Sequence, residues 1–169
     1  MDQKAFLKIF DPVRSKLYRL SLRLLVSKEA AEDATQEVLL KLWERKEKLG
    51  EYNSPEAYAM TITKNYCLDQ LKLRQNNNLR IVHNNYEEKS TSLQTQIEAK
   101  NDFEWIQKLM EDLNAQQKAI IQMRDIEEME YDEIARIMEM NETAVRVALS
   151  RGRKKLRNGL LKKHHYGTA

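Results

Sequence analysis

Glycine and proline are scarce in this chain, with 4 Gly and 2 Pro among 169 residues. Glycine weakens a helix interior through its backbone freedom, and proline does so because it lacks a backbone N–H group. A chain with so few helix breakers is expected to form long helices. The sequence also lacks alternating β-branched runs and internal repeats. It therefore predicts an all-α fold.

Apolar spacing and cap signals predict helices in the first block of the chain, about residues 4–74. Leucines recur at helical spacing in its first helix, at positions 17, 20 and 24. Pro12 suits an early helical turn or a break. Ser27 is a candidate N-cap of the next helix, which Gly50 is expected to end. Ser54 caps a third helix, and Pro55 takes its first position.

The chain divides into two helical blocks on a polar tether. Residues 75–100 lose the apolar period and fill with Asn, Gln, Ser and Thr, so we interpret them as a linker. Residues 101–163 return to helical spacing, and residues 164–169 form a tail. The sequence predicts two small helical domains, residues 1–74 and 101–163, joined by this linker.

Composition excludes several classes of protein. No apolar run approaches the roughly 20 residues that a membrane span needs, and the N-terminus does not resemble a signal peptide. The single cysteine, Cys67, cannot form an internal disulfide and is interpreted as a core residue. His83, His164 and His165 have no metal-ligand spacing with it. We expect a cytoplasmic protein that is not membrane-inserted and uses no metal or cofactor.

Two short amphipathic helices meet where the chain changes the sign of its charge. Acids dominate up to Glu142, whereas every charge from Thr143 to the C-terminus is positive. The first helix has one apolar face, formed by Ile134, Ala135, Ile137 and Met138. The second has an apolar stripe formed by Val145, Leu149, Gly152 and Leu156. A basic second helix after a tight turn indicates a DNA-binding helix-turn-helix, with an ordinary helical hairpin as the alternative.

The stripe leaves another set of side chains facing outward, namely Ala144, Arg146, Val147, Ser150 and Arg151. Arginine can bind guanine edges with two hydrogen bonds, and Val147 and Ala148 can contact thymine methyl groups. Arg153, Lys154 and Arg157 lie further along and suit phosphate contacts, which orient a protein without reading sequence.

The helix in "AEDATQEVLLKLWE" has a second candidate binding face. Its apolar side consists of Ala31, Ala34, Val38 and Leu42. Its other side is mostly acidic and polar, and consists broadly of Glu29, Asp33, Gln36, Leu40 and Glu44. An apolar Leu40 on an acidic face indicates a protein contact surface, with a solvated helix face as the alternative.

Together these motifs resemble one family. "AEDATQEVLLKLWE" resembles the core-binding helix of bacterial sigma factors of the sigma-70 family, extracytoplasmic-function (ECF) group. "YDEIARIMEMNETAVRVALSRGRKKLR" resembles the fourth conserved region of that group, and the resemblance covers nearly residues 5–162. It implies a transcription initiation factor rather than an enzyme. The second region would bind the β′ clamp helices of core RNA polymerase and melt and read the minus-ten element, and the fourth would bind the β flap and read the minus-thirty-five element.

The resemblance assigns roles to residues at matching positions. Core polymerase is expected to contact Asp33, Gln36 and Glu37, which match the core-binding motif, and Leu40. The minus-ten element is expected to contact Asn65, which matches the family's "ARN…D" pattern, and Lys64, Lys72 and Arg74. The minus-thirty-five element is expected to contact Arg146, Val147, Ser150 and Arg151, which match the reading positions, and Arg153, Lys154 and Arg157. Tyr52, Tyr58 and Tyr66 offer surfaces for unstacked bases, with core packing as the alternative.

The sequence departs from the family pattern at several positions. Tyr58 and Ala59 stand in place of a Trp-Leu pair, and Lys72 stands where arginine is usual. Glu139 occupies a turn position where glycine is common, so the turn can differ in conformation. Val147 and Ala148 replace more common polar or basic residues, so the promoter preference of relatives does not transfer.

Two rival functions follow from the same residues. The acids Glu29, Glu32, Asp33 and Glu37 resemble the Mg²⁺-binding clusters of all-α nucleotide pyrophosphatases. Such a site needs a facing acidic pair, and Glu127, Glu128 and Glu130 are poor candidates for it. The other rival is a dimeric helix-turn-helix regulator that binds a palindrome without polymerase. The expected partners are core RNA polymerase, promoter DNA and an anti-sigma factor, with no small-molecule substrate.

Overall fold

The computed structural model describes residues 1–81 and 102–167, with side chains described in 1–77 and 104–162. Its α-helices are α1 (Gln3–Leu25), α2 (Lys28–Glu44), α3 (Pro55–Ile81), α4 (Asp102–Glu111), α5 (Ala115–Ile121), α6 (Tyr131–Met138) and α7 (Glu142–Gly167). A 3-10 turn over Lys46–Glu51 follows α2, and a π-helical turn over Gln122–Ile126 continues α5. These ranges contain no strand, and the predicted all-α fold is confirmed.

The serine caps lie where the sequence predicted them, but Gly50 does not end α2. The Ser27 hydroxyl accepts from the Ala30 backbone N–H at 3.3 Å. The Ser54 hydroxyl accepts from the Ala57 N–H at 3.1 Å, two residues inside α3. The prediction for Gly50 is wrong, because α2 ends at Glu44 and Gly50 lies in the 3-10 turn that follows.

Pro12 lies inside α1 and neither starts nor breaks it. A proline in a helix interior costs about 3 kcal/mol. Phe6 and Phe10 precede Pro12, Val13 and Leu17 follow it, and all four are buried on the same side of α1. Burying such side chains contributes about 1.5–3 kcal/mol each, which outweighs the cost of the proline. The prediction of an early turn or break at Pro12 is therefore wrong.

The first domain packs α1, α2 and α3 around one core. Its fully buried side chains include the predicted apolar faces of α1 and α2, namely Leu17, Leu20, Leu24, Ala31, Ala34, Val38 and Leu42. Met60 and Cys67 of α3 complete this core. Three helices with one apolar face each therefore leave their polar faces at the surface.

The second domain packs α7 on α5 and α6 through the predicted stripe. Val145 and Leu149 are buried, and so is Gly152. A Cβ at Gly152 would lie 2.8 Å from Cδ1 of Ile121, so glycine permits the close approach of α5 and α7. The helix-turn-helix is thus formed by α6 and α7.

Two helices extend past the predicted ends of their domains. Helix α3 continues to Ile81, past the predicted boundary at residue 74, and residues 82–100 of the predicted linker lie outside the described residues. Helix α7 continues to Gly167, into the predicted tail.

The two domains also contact each other. Helix α5 packs against α1, and α6 packs against α3. The buried apolar residues of both domains form one contiguous cluster. Within the described residues, no helix combines the length and the apolar character that crossing a membrane requires.

The turn between α6 and α7 has a left-handed residue that is not glycine. Glu139 has φ 55° and ψ 46°, the conformation that glycine adopts most easily. The turn therefore keeps a glycine-like backbone despite the substitution. Asn141 then caps α7, because its Oδ1 accepts from the Ala144 N–H at 2.7 Å.

We expect Glu139→Gly to be more stable than Glu139→Ala by about 1 kcal/mol, the cost of a left-handed conformation for a residue with a side chain. Both variants remove the carboxylate, and only glycine relieves the backbone. Urea denaturation of the two variants measures the difference. Equal midpoints would show that the turn is not strained.

Candidate nucleic-acid and polymerase interfaces

The predicted polymerase-binding residues lie together on one exposed face of α2. Asp33, Gln36, Glu37 and Leu40 are all exposed, and Leu40 is 51% exposed. The opposite face of the same helix is fully buried against α1 and α3. Because that burial fixes the rotation of α2, the acidic and apolar groups stay directed at solvent. This face can accept a basic or polar helix, with Leu40 as an apolar contact.

The predicted base-reading residues lie on the exposed face of α7. Arg146, Val147, Ser150 and Arg151 are all exposed. Ala148 is 8% exposed and belongs to the core, so its predicted contact with thymine methyl groups is wrong. Val147 remains accessible for such a contact, at 42% exposed.

Tyr131 lies next to the first of these arginines. The guanidinium carbon of Arg146 lies 4.7 Å from the centre of the Tyr131 ring, and that of Arg124 lies 4.3 Å from the same ring. A guanidinium near an aromatic face at this distance is held by a cation–π interaction of about 0.5–1 kcal/mol at an exposed site. Tyr131, the first residue of α6, thereby restricts where the Arg146 side chain points.

The predicted phosphate-binding residues follow on α7, and one of them has an internal partner. Arg153 forms a two-point ion pair with Asp125, in which its Nε lies 3.1 Å from Oδ2. The hydrogen bond to Asp125 raises the pKa of Arg153. Lys154 and Arg157 are exposed. A phosphate must therefore compete with a carboxylate at Arg153.

The four residues predicted to bind the minus-ten element have different environments. Asn65 and Lys72 are exposed on α3. Arg74 donates from Nη1 to the carbonyl of Leu25 at 3.0 Å, at the C-terminus of α1. Lys64 is only 5% exposed, and its Nζ donates to the carbonyl of Ile137 at 2.7 Å. The structure therefore does not bring the four residues together on one open surface.

The aromatic residues near the start of α3 form a stacked pair. The rings of Tyr52 and Tyr58 lie 3.9 Å apart between centres at an angle of 14°. Nη1 of Arg45 donates to the Tyr58 hydroxyl at 3.0 Å. Tyr52 is 38% exposed, so the pair presents an aromatic surface next to the cation of Arg45. Proteins that bind single-stranded nucleic acid combine aromatic side chains, on which bases stack, with positive charge.

The two domains match two known sequence families. The Sigma-70 region 2 family matches residues 9–77, and the Sigma-70, region 4 family matches residues 103–156. Together the two matches span most of the chain, in the family's order. The chain belongs to the sigma-70 family. The first domain, formed by α1 to α3, thus contains sigma-70 region 2, and α4 to α7 contain region 4.

The fold agrees with that of a solved sigma factor. The chain is similar to RpoE of Bartonella quintana, solved in complex with the anti-sigma factor NepR, with a TM-score of 0.77 and 20% sequence identity. The match covers 93% of this chain and 97% of that one. No curated protein matches the chain in sequence. As a member of the sigma-70 family, the protein is a transcription initiation factor.

The acids considered for the rival enzyme do not converge. Those of region 2 lie exposed along α2, whereas Glu127 of region 4 binds Arg19. Within the described residues, no three His, Cys, Asp or Glu side chains are arranged to hold a metal ion. Cys67 is buried in region 2, and burial raises its pKa to about 11. The thiol is therefore protonated at neutral pH and is a poor nucleophile.

Sequence reasoning missed Tyr131, Asp125 and Arg19. An aromatic residue directly before the apolar face of α6 could have drawn attention to Tyr131. Asp125 and Arg19 gave no signal, because their partners lie 28 and 108 residues away in the chain.

We expect Tyr131→Leu to weaken minus-thirty-five duplex binding about two- to five-fold, the equivalent of about 0.5–1 kcal/mol, because Arg146 loses its ring partner. Tyr131→Phe keeps the ring and should bind like the native protein. Fluorescence anisotropy with a duplex selected from a random library measures both. In an Arg146→Ala background, Tyr131→Leu should have no further effect. If Tyr131→Leu still weakened duplex binding by the same factor in that background, Tyr131 would act independently of Arg146.

Proposed function

We propose that this protein is an alternative sigma factor of the ECF group, which binds core RNA polymerase and directs promoter recognition, DNA melting and transcription initiation. One observation supports it most: regions 2 and 4 both match, and each presents an exposed face suited to its family role. Region 2 presents the acidic and apolar face of α2, and region 4 presents the basic face of α7.

The chemistry of the α2 face supports polymerase as its partner. Acidic side chains on a rigid helix complement a basic surface, and Leu40 offers an apolar side chain that gains about 1.5–3 kcal/mol when fully buried. We assign Asp33, Gln36, Glu37 and Leu40 to this contact, with the β′ clamp helices as the partner.

Two surfaces support contact with promoter DNA. On region 4, the exposed residues of α7 suit the major groove of the minus-thirty-five element, with Arg146 and Arg151 nearest its N-terminus. On region 2, Asn65 and Lys72 lie on α3, and the Tyr52–Tyr58 stack lies near its start. A cationic helix beside an aromatic surface suits a melted strand. We assign Lys64 and Arg74 to the same element, provided that they are released from their internal partners.

An anti-sigma factor is a further proposed partner. The solved RpoE that this chain resembles was crystallised with one, NepR. The two exposed faces described above are both available to such an inhibitor. We also propose that the protein acts in the cytoplasm, where its polymerase and promoter partners lie.

Reconstitution with core RNA polymerase and sequencing of the promoters opened tests this function directly. We expect Asp33→Ala combined with Gln36→Ala to weaken binding to core by about 2–5 kcal/mol, since loss of charged partners at a buried interface has this effect. Titration in a pull-down measures the affinity, and circular dichroism checks that helicity is unchanged.

Asp11→Ala provides the control, because Asp11 is an exposed acid that belongs to α1 and not to α2. It should bind core like the native protein. If the α2 variant also bound normally, the polymerase-binding surface would have to lie elsewhere.

Arg146→Ala and Lys154→Ala should weaken DNA binding in different ways. We expect Arg146→Ala to cost about 1–3 kcal/mol on the preferred promoter and to relax specificity at one position. Lys154→Ala should weaken all sequences alike and lower the salt slope by about one unit, because one phosphate contact is lost. Binding to matched and mutated elements at several salt concentrations separates the two effects. The same uniform loss in both variants would make Arg146 only a phosphate contact.

A further inference from the structure

The exposed face of α2 carries a cation as well as the acids assigned to polymerase binding. Asp33, Glu37 and Lys41 follow each other at four-residue spacing, so they form a row along one side of the helix, and all three are exposed. At a rise of about 1.5 Å per residue, Asp33 and Lys41 lie roughly 12 Å apart along the helix axis. The charges of this row therefore have a fixed order, with two acids first and one cation after them.

Lys41 does not pair with its neighbour Glu37. A glutamate four residues before a lysine is the favourable order for an ion pair on a helix. Within the described residues, however, no charge of the row forms an ion pair. The ammonium group of Lys41 lies instead 4.9 Å from the centre of the Tyr66 ring. Both carboxylates of the row are thus left available to a partner, and the cation contacts an aromatic ring.

Tyr66 brings α3 into this face. It is partly buried, and it packs against the apolar core. Burial raises the pKa of Tyr66, and the carboxylates of Glu37 and Asp33 raise it further. The ring therefore lies beside the row of charges on α2. A ring that is fixed by packing restricts the lysine that contacts it, and a restricted side chain loses less conformational entropy when it binds a partner.

We propose that Lys41 and Tyr66 belong to the polymerase-binding face and set the direction in which the partner helix lies on it. The inference rests on the proposed function, in which the α2 face binds the β′ clamp helices. The partner helix presents cations to Asp33 and Glu37, and it presents a carboxylate to Lys41. Tyr66 is a positioning residue, because its ring holds the ammonium group of Lys41.

The order of the charges distinguishes the two directions of a bound helix. In the reversed direction, a cation of the partner would face Lys41, and its carboxylate would face Asp33. Like charges that meet in an interface are strongly unfavourable, and this effect fixes register and suppresses wrong arrangements. A row of acids alone would accept a row of cations in either direction. Lys41 is therefore the residue that makes the face directional.

Binding of full-length variants to immobilised core RNA polymerase, without promoter DNA, tests the role of Lys41. We expect Lys41→Gln to raise the Kd about fivefold, as loss of an exposed ion pair does. Lys41→Glu should raise it about thirtyfold, because like charges then meet. Lys41→Arg keeps the charge and should bind nearly like the native protein.

Lys28→Glu is the control for these variants. Lys28 is an exposed lysine at the first position of α2 and does not belong to the row. This variant should bind core like the native protein, and circular dichroism should show unchanged helicity in all of them. If Lys41→Glu bound core as tightly as Lys28→Glu does, Lys41 would not belong to the polymerase-binding face.

The positioning role of Tyr66 has its own test. Tyr66→Phe keeps the ring and should leave the affinity for core unchanged. Tyr66→Leu should weaken binding about two- to fivefold, because Lys41 loses its cation–π contact. In a Lys41→Gln background, Tyr66→Leu should have no further effect. A residue that only filled the core would give the same loss in both backgrounds, and that result would overturn the positioning role.

Charge exchange with the polymerase tests the direction of the partner helix. Each acid of the β′ clamp helices is replaced in turn by lysine, and each base by glutamate. One acid replacement should restore binding of Lys41→Glu, and one base replacement should restore binding of Asp33→Lys. The two rescuing positions should lie about eight residues apart on one helix, matching the roughly 12 Å between Asp33 and Lys41. Absence of a rescuing acid would overturn the proposed direction.

The outcomes separate this inference from the proposed function. If Asp33→Ala with Gln36→Ala bound core normally, the α2 face would not be the polymerase site, and both assignments would fail. If that variant bound weakly while Lys41→Glu bound normally, the polymerase assignment would stand, and the role of Lys41 would be refuted.

Discussion

Each functional face of this protein depends on burial of the apolar stripe on the opposite side of the same helix. Ala34 and Val38 fix the rotation of α2 and thereby hold Asp33 and Leu40 at the surface. Val145 and Leu149 do the same for α7 and its arginines. Apolar burial is the dominant favourable term in folding. It therefore sets the direction in which the exposed polar side chains of α2 and α7 point, and these side chains need no strong polar bonds to hold them there.

This dependence explains how much could be predicted from the sequence. The stripe of α7 and the serine caps of α2 and α3 are local patterns, and the predictions from them agree with the structure. Pro12 was misjudged, because a local breaker signal cannot show how much apolar surface lies on both sides of it. Gly50 was misjudged, because α2 already ends at Glu44 and a 3-10 turn leads to the glycine. Lys64 was expected to contact the minus-ten element, but its ammonium group is bound by the carbonyl of Ile137, 73 residues away. A single sequence has no signal for such a pair.

The contacts between regions give several charged residues a second partner. Arg19 binds Glu127 and Lys64 binds a helix end, whereas Arg153 binds Asp125 within region 4. Each of these cations already has a hydrogen-bond acceptor inside the free protein. A DNA phosphate can therefore bind it only if the phosphate interaction is stronger than the internal one. A count of positive side chains alone would therefore overstate the attraction of the free protein for DNA, because these three cations already bind acceptors in the chain.

The single apolar cluster that runs through both regions has a consequence for thermal stability. Two domains with separate cores melt independently, whereas domains that share buried side chains lose structure as one cooperative unit. In the free protein, a cavity created deep in region 2 would therefore lower the melting temperature of the helix-turn-helix as well.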